Sequence, residues 1–164
     1  SLPFTSYANF LTSYSGWPGE LIFRRNAERA VRSGVEVPDQ VIAYFRRLPP
    51  LTSTGYLRFA EALSARGLRN EARSAARSAW IAGVLAPEDE NLVLGSFADA
   101  IQPGDHDLRM DRLLWDRATS NAARQLLLVS PTRRAVFEAR LAMLSKASDA
   151  AIKTQAVFEL AKND

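Results

Sequence analysis

The stretch from Gly55 to Gly83 constrains the fold of this chain more than any other. It contains two segments in which apolar residues recur at the i, i+3, i+4, i+7 spacing of an amphipathic helix. The first segment presents Tyr56, Phe59, Ala60 and Leu63. The second presents Ala72, Ala75, Ala76, Ala79 and Trp80. Because alanine lets two helix backbones approach closely, the segments are predicted to form an antiparallel helical hairpin that turns at Arg66-Gly67-Leu68.

A single hairpin of this kind cannot bury its apolar face alone, so it needs neighbouring helices. The 164-residue chain supplies them, since it is rich in Ala, Leu and Arg, and 47% of its residues are hydrophobic. That content excludes wholesale disorder, and no apolar run approaches the roughly 18 residues of a membrane span. The chain contains no cysteine, so it has neither a disulfide framework nor a thiolate metal site.

Glycine, proline and capping residues divide the rest of the chain into short helices. Thr52 or Ser53 is suited to cap the first helix of the hairpin, and Asp105 is suited to cap a later one. Outside the hairpin, the predicted helices are Pro3–Tyr14, Glu20–Ser33, Pro38 to the Pro49-Pro50 pair, Pro87–Phe97, Asp107–Arg117, Thr119 or Ser120 to Leu127, one from Ser130-Pro131, and one from Ser148 or Asp149 to Lys162. No segment predicts a strand.

These segments predict an all-α fold, an α-superhelix or solenoid of about ten short antiparallel helices arranged as hairpins like those of tetratricopeptide repeats. Two stretches, Arg58–Trp80 and Arg109–Leu127, look like two versions of one helical hairpin without a strict period. No linker divides the chain. Residues 1–164 are therefore predicted to form a single helical domain.

The charge pattern argues against a nucleic-acid partner. The net charge is +3 and the pI is about 9.6. The basic excess is arginine scattered as the doublets Arg24-Arg25, Arg46-Arg47 and Arg133-Arg134. A nucleic-acid module shows a denser basic stripe with base-reading partners. We interpret these arginines as solvated helix faces, and a helical nucleic-acid binder is the weaker alternative.

One histidine and one acidic run are the candidates for acid–base or metal chemistry. His106 lies between Asp105 and Asp107, but no second histidine exists to complete a metal site or a catalytic pair. The acidic run is Glu88–Glu90, and consecutive helical residues point in different directions, so its carboxylates cannot flank one glycosidic bond. Both features are interpreted as helix N-termini. No catalytic, metal-binding or cofactor-binding residue is predicted.

The three tryptophans are candidates for stacking on sugars. Trp80 and Trp115 lie at helical spacing beside apolar residues, which favours core or inter-helix packing. Trp17 lies in a Gly/Pro turn, and a structural role is favoured there too.

A more specific pattern is the stretch Asp105–Asp116, in which an Asp-His-Asp triplet leads into an Arg-Leu-Leu-Trp helix. Together with four further segments, it resembles the N-terminal superhelical, U-shaped region of soluble lytic murein transglycosylases of the alphaproteobacterial type. The further segments are Gly16–Glu20 before an Arg-rich helix, the proline-ended Val41–Pro50, Leu51–Trp80, and Ala122–Pro131.

The resemblance implies a periplasmic protein whose partners are peptidoglycan glycan strands and a catalytic domain. In that family, a C-terminal lysozyme-like domain cleaves the MurNAc–GlcNAc bond and forms 1,6-anhydromuropeptides, and its catalytic glutamate stands in a Glu-Ser dipeptide. No glutamate of this chain is followed by serine. We therefore expect a fragment of the superhelix, which is a non-catalytic scaffold that holds the substrate.

Two further expectations follow from the sequence. A stand-alone tetratricopeptide-like module that grips a protein or peptide is the alternative function, and a native gene that ends near Asp164 would favour it. The last predicted helix leaves Ala156, Val157, Leu160 and Ala161 without a covering element. Because the ends of a solenoid need polar caps, the chain is expected to self-associate through that end or to fray there.

Overall fold

The computed structural model describes residues 1–162, and within them the fold is all-α, as predicted. Asn163 and Asp164 lie outside the described residues. The α-helices are α1 (Phe4–Ser13), α2 (Glu20–Ala30), α3 (Pro38–Arg47), α4 (Ser53–Ala65), α5 (Arg69–Ala82), α6 (Pro87–Ser96), α7 (Pro103–Trp115), α8 (Thr119–Gln125) and α9 (Arg134–Lys162). A short 3₁₀ helix, Ala98–Ala100, lies between α6 and α7.

The predicted number of about ten helices is too high by one for the described chain, because two predicted helices form the single helix α9. The expected cap at Ser148 is absent. Its hydroxyl instead donates to the carbonyl oxygen of Leu144 at 3.1 Å. A serine inside a helix can satisfy its hydroxyl in this way without ending the helix.

The central hairpin consists of α4 and α5, as the sequence predicts. Thr52 caps α4, since its Oγ1 accepts a hydrogen bond from the backbone N–H of Gly55 at 3.0 Å. The turn between the helices is a Schellman motif, in which Gly67 has a φ of 75° and the N–H of Leu68 donates to the carbonyl of Leu63. The alanine stripe of α5 is buried, as are Ala60, Leu63 and Trp80.

The second hairpin, α7 and α8, turns in the same way. The N–H of Ala118 donates to the carbonyl of Leu113 at 2.9 Å, and that of Arg117 donates to the carbonyl of Leu114 at 3.1 Å. Arg117 occupies the left-handed position with a φ of 56°, where the first hairpin has Gly67. The predicted likeness of the two hairpins therefore extends to the geometry of their turns.

The buried apolar residues form two clusters that meet where α5 contacts α7. The first cluster draws on α1 to α6 and is centred on the hairpin, with Leu57, Ala76 and Trp80 almost fully buried. The second joins α7, α8 and α9 through residues such as Met110, Leu113 and Phe137. Helices adjacent in sequence contact each other in most cases, which is compatible with a superhelix, but the superhelical arrangement itself stays a prediction.

Several local predictions are corrected by the packing. Helix α2 ends at Ala30, before the predicted Ser33. Helix α7 begins at Pro103, so Asp105 lies inside its first turn. Helix α8 begins at Thr119 after Ala118, so neither Thr119 nor Ser120 is its N-cap.

Candidate functional site

Several buried or half-buried side chains with polar atoms meet at the boundary between the two apolar clusters. We call this set the polar junction, and it consists of Trp80, Glu90, His106, Arg109 and Gln125. It lies where the end of α5, the start of α6, and helices α7 and α8 come together.

His106 accepts a hydrogen bond in the polar junction. The indole Nε1–H of Trp80 donates to its Nδ1 at 3.1 Å, and the two rings are nearly perpendicular, with centroids 5.9 Å apart. The amide Nε2 of Gln125 donates to the backbone oxygen of His106 at 3.1 Å. Burial lowers the pKa of His106, against the opposing charges of Asp105 and Asp107. The ring is therefore held neutral, as an acceptor at Nδ1 must be.

Arg109 is the centre of the polar junction and has no exposed surface. Its guanidinium lies 3.9 Å from the centroid of the Trp80 ring, in the geometry of a cation–π contact. It donates to the carbonyl oxygens of Trp80 at 3.0 Å and Gly83 at 2.5 Å, and to Oε2 of Glu90 at 2.8 Å. Burial lowers the pKa of Arg109 to about 10, although Glu90 raises it. Arg109 therefore stays protonated at neutral pH.

Glu90 has both carboxylate oxygens occupied. Oε2 accepts from Arg109, and Oε1 accepts from Nε of Arg124 at 2.7 Å. A cavity of about 160 Å³ borders the polar junction and is lined in part by Glu90, Arg124 and Gln125. Both carboxylate oxygens of Glu90 are thus engaged by guanidinium groups of other helices. The polar junction therefore holds α5, α6, α7 and α8 together through hydrogen bonds and ion pairs.

Two of the three carboxylates in the acidic run at the start of α6 accept hydrogen bonds from arginines of other helices. Asp89 and Glu90 are buried, and Asp89 accepts two hydrogen bonds from Nη2 of Arg58 on α4, at 3.0 and 2.9 Å. Glu88 remains exposed at the helix N-terminus. No local pattern in the sequence indicates these buried ion pairs, because each joins residues on two different helices.

The two aspartates beside His106 also join separate elements. Asp105 accepts from Nε and Nη2 of Arg77 on α5, at 2.9 and 3.0 Å, and from the backbone N–H of Gln102. Asp107 accepts from the backbone N–H and the hydroxyl of Ser130. Partial burial opposes ionisation of both carboxyls, but these hydrogen bonds outweigh it and lower the pKa of each.

The structure agrees with the predictions for Trp80 and Trp17 and contradicts the prediction for Trp115. Trp80 is 1% exposed and belongs to the core, as predicted. Trp17 is half-buried and packs edge-on against Phe10 and Phe23. The prediction for Trp115 is wrong, since it is 79% exposed at the end of α7. It borders a groove of about 480 Å³ that Met143 and Leu144 of α9 also line.

Within the described residues, half of the arginines pair with a carboxylate on another element of the fold. Arg46 binds Glu71, Arg133 and Arg140 both bind Asp111, and Arg24 donates to the carbonyl oxygen of Pro49. The exposed arginines for which the described chain shows no ion pair or hydrogen bond are Arg25, Arg47, Arg69 and Arg117.

Two further findings concern ligands and membranes. Within residues 1–162, no three side chains of the types His, Cys, Asp and Glu converge so as to hold a metal ion. Among the described helices, none combines the length and the apolar character that a membrane crossing needs.

Comparisons of this chain with protein-family models, with curated proteins and with solved structures find no match.

Proposed function

We propose that this chain is a non-catalytic helical scaffold that holds peptidoglycan glycan strands, and that it is the superhelical region of a soluble lytic murein transglycosylase. In the resembled enzymes, a separate lysozyme-like domain would cleave the MurNAc–GlcNAc bond with formation of 1,6-anhydromuropeptides in the periplasm. The chain itself would supply shape and binding surface.

One observation carries the proposal. The stretch Asp105–Asp116, on which the resemblance chiefly rests, supplies the contacts that lock one hairpin to the next. Asp105 binds Arg77, His106 binds Trp80, and Arg109 binds Glu90. A sequence pattern that serves helix interlocking is what a scaffold requires, whereas an enzyme site would leave such groups free for a substrate.

The unpaired arginines are the groups suited to contact the substrate. Muropeptides carry carboxylates, and a guanidinium binds a carboxylate through charge-assisted, often bidentate hydrogen bonds. An arginine already bound to Asp or Glu would have to give up that contact first. The unpaired set consists of Arg25, Arg47, Arg69 and Arg117.

The test is co-sedimentation of the purified chain with insoluble peptidoglycan at low and moderate salt, with released muropeptides assayed in the supernatant. We expect binding without release. A variant in which the four unpaired arginines become glutamine should bind at least about tenfold more weakly, which corresponds to ~1.4 kcal/mol.

The matched control replaces four ion-paired surface arginines by glutamine, namely Arg32, Arg46, Arg66 and Arg112. Both variants lose the same charge, so non-specific attraction falls equally, and only direct contacts distinguish them. Equal binding by the two variants would contradict the role of the unpaired arginines. Release of muropeptides would contradict the non-catalytic assignment.

A peptide-binding module is the second candidate, and one groove favours it. The groove has a volume of about 420 Å³ and lies between α4 and the segment that joins α2 to α3. Val35 and Val37 are 58% and 53% exposed at its wall, next to the Arg58–Glu61 ion pair. If the chain does not bind peptidoglycan at either salt concentration, this candidate replaces the first.

A further inference from the structure

A groove between α1 and α3 belongs to none of the features described above. It has a volume of about 400 Å³. The two helices touch through Phe4, the first residue of α1, whose ring packs edge-on against Tyr44 with the centroids 5.3 Å apart. Ala8 and Ala43 also line the groove, and their side chains are too small to fill it. Hydroxyl, amide and guanidinium groups line the rest, and they belong to Thr5, Asn9, Thr12, Gln40 and Arg47.

The groove carries one positive charge that the described chain does not neutralise. Helix α1 contains no charged residue. On α3, Asp39 pairs with Arg66 at 2.9 Å. Arg46 pairs with Glu71 at 3.1 Å. Arg47 is exposed and forms no ion pair or hydrogen bond within the described chain, and no carboxylate is among the described residues that line the groove. The groove therefore favours a ligand with a single negative group.

The uncharged polar groups of the groove narrow the class of ligand further. The side-chain amides of Asn9 and Gln40 are exposed and form no hydrogen bond within the described chain. An amide both donates and accepts hydrogen bonds, as a peptide group does, whereas a phosphate would leave the amide oxygens unmatched. A sugar ring stacks on an aromatic face, but Phe4 and Tyr44 are only 1% and 3% exposed. Peptide groups fit this lining better than a phosphate or a sugar.

We propose that this groove binds a short, extended peptide whose C-terminal carboxylate pairs with Arg47, while Asn9 and Gln40 hydrogen-bond to its peptide groups. A guanidinium binds a carboxylate through charge-assisted hydrogen bonds, often two at once. From Gln40 to Arg47 the wall of α3 is about 10 Å long, which matches about three extended residues. The proposal does not rest on the function proposed above, because a soluble peptide contains no glycan strand.

The test is isothermal titration calorimetry of the unmodified chain with three probes. These are acetylated tri-alanine with a free C-terminal carboxylate, the same peptide with an amidated C-terminus, and acetate. The free acid should bind at least about tenfold more tightly than either of the other probes, because it alone offers both the peptide groups and the carboxylate. Equal binding of the free and the amidated peptide, equal binding of acetate, or no binding of the free acid would overturn the proposal.

Three substitutions locate the binding site. Arg47→Gln should weaken binding of the free acid at least about tenfold, because it removes the partner of the carboxylate. The matched control is Arg25→Gln, which removes the same charge from an exposed, unpaired arginine of α2 outside the groove and should leave binding unchanged. Ala43→Trp, at an exposed position, should abolish binding because it fills the groove without a change of charge.

Circular dichroism checks that the three variants remain helical. Equal effects of Arg47→Gln and Arg25→Gln would mean that only the net charge of the chain attracts the peptide, and would overturn the proposal. Undiminished binding by Ala43→Trp would place the peptide outside this groove and would overturn it as well.

Discussion

Among single residues, His106 shows best how the environment sets the chemistry. Its Nδ1 accepts the indole N–H of Trp80, which is possible only in the unprotonated ring. Burial lowers its pKa, and the nearby charge of Arg109 acts in the same direction, whereas Asp105 and Asp107 raise the pKa. Because burial is the largest cause, the folded chain binds this proton less readily than the unfolded chain does.

We therefore predict that the free energy of unfolding decreases as the pH falls below 6.5, the ordinary pKa of histidine. The stability that His106 contributes is fully present above that pH and is lost towards its lower folded pKa, since the unfolded state takes up the proton first. Urea unfolding followed by tryptophan fluorescence between pH 7.5 and 5 measures the effect. His106 is the only histidine in the chain, so no other histidine contributes.

The control is His106→Gln, which cannot titrate and should flatten the profile over the same range. Asp105 and Asp107 do not interfere, because their pKa values are lowered from 3.8 and lie below the window. Parallel pH profiles for the parent chain and the variant would show that His106 is not the group responsible.

At the scale of the elements, α4 shows how a helix start depends on a distant residue. Glu28 of α2 is 1% exposed, and its carboxylate accepts hydrogen bonds from the backbone N–H groups of Leu51 and Thr52 and from the Thr52 hydroxyl. A carboxylate at this place also interacts favourably with the positive end of the helix dipole. The same carboxylate lies against Gly55, so closely that a Cβ at this glycine would collide with Oε1 of Glu28.

Gly55→Ala is expected to destabilise the chain by about 1–3 kcal/mol, because the added methyl overpacks a buried, hydrogen-bonded site. Gly95→Ala is the matched control, since Gly95 lies within α6 and its Cβ would meet nothing within 4 Å. That change should stabilise by about 0.5–1 kcal/mol through helix propensity. Urea unfolding measures both, and a stabilising effect of Gly55→Ala would refute the proposed contact.

The turns show which elements the sequence could predict. Gly67 marks the first turn plainly, because glycine is the usual residue at the left-handed position of a Schellman motif. Arg117 holds the same position without that signal, and only the recurring apolar pattern on both sides predicts the turn there. Ser148 shows the converse, since serine is a common cap, but here the helix continues through it.

In the whole molecule, the polar junction joins the two apolar clusters, and Arg109 links three elements at once. It donates to Trp80 and Gly83 at the end of α5, and to Glu90 on α6. Removing Arg109 would leave the buried Glu90 with Arg124 as its remaining ion-pair partner, and would take the side-chain donor from the carbonyl oxygens of Trp80 and Gly83, which is costly in a buried site. We therefore expect that substitution of Arg109 weakens the packing of the two apolar clusters against each other.

Arg109→Met should destabilise the chain by about 3–5 kcal/mol, because Glu90 remains buried with one contact fewer. Arg32→Met is the control, since Arg32 is 68% exposed and pairs with Glu36 one turn away. It should change stability by at most about 1 kcal/mol. Urea unfolding with two probes, Trp fluorescence and circular dichroism, also shows whether the clusters separate. Equal effects of the two substitutions would refute the role of the polar junction.

The sequence alone determines the helical class, the central hairpin and most helix limits, because periodicity, glycine and proline act over a few residues. Only the tertiary structure decides which charged residues are buried and where surface tryptophan lies. Helical spacing places Trp115 beside Leu114, yet Trp115 is 79% exposed among the described residues. In the sequence, Glu90 and Arg109 look like ordinary surface charges. In the fold, the packing of α6 and α7 brings Nη2 of Arg109 to 2.8 Å from Oε2 of Glu90. Such contacts join residues far apart in sequence, so no local pattern encodes them.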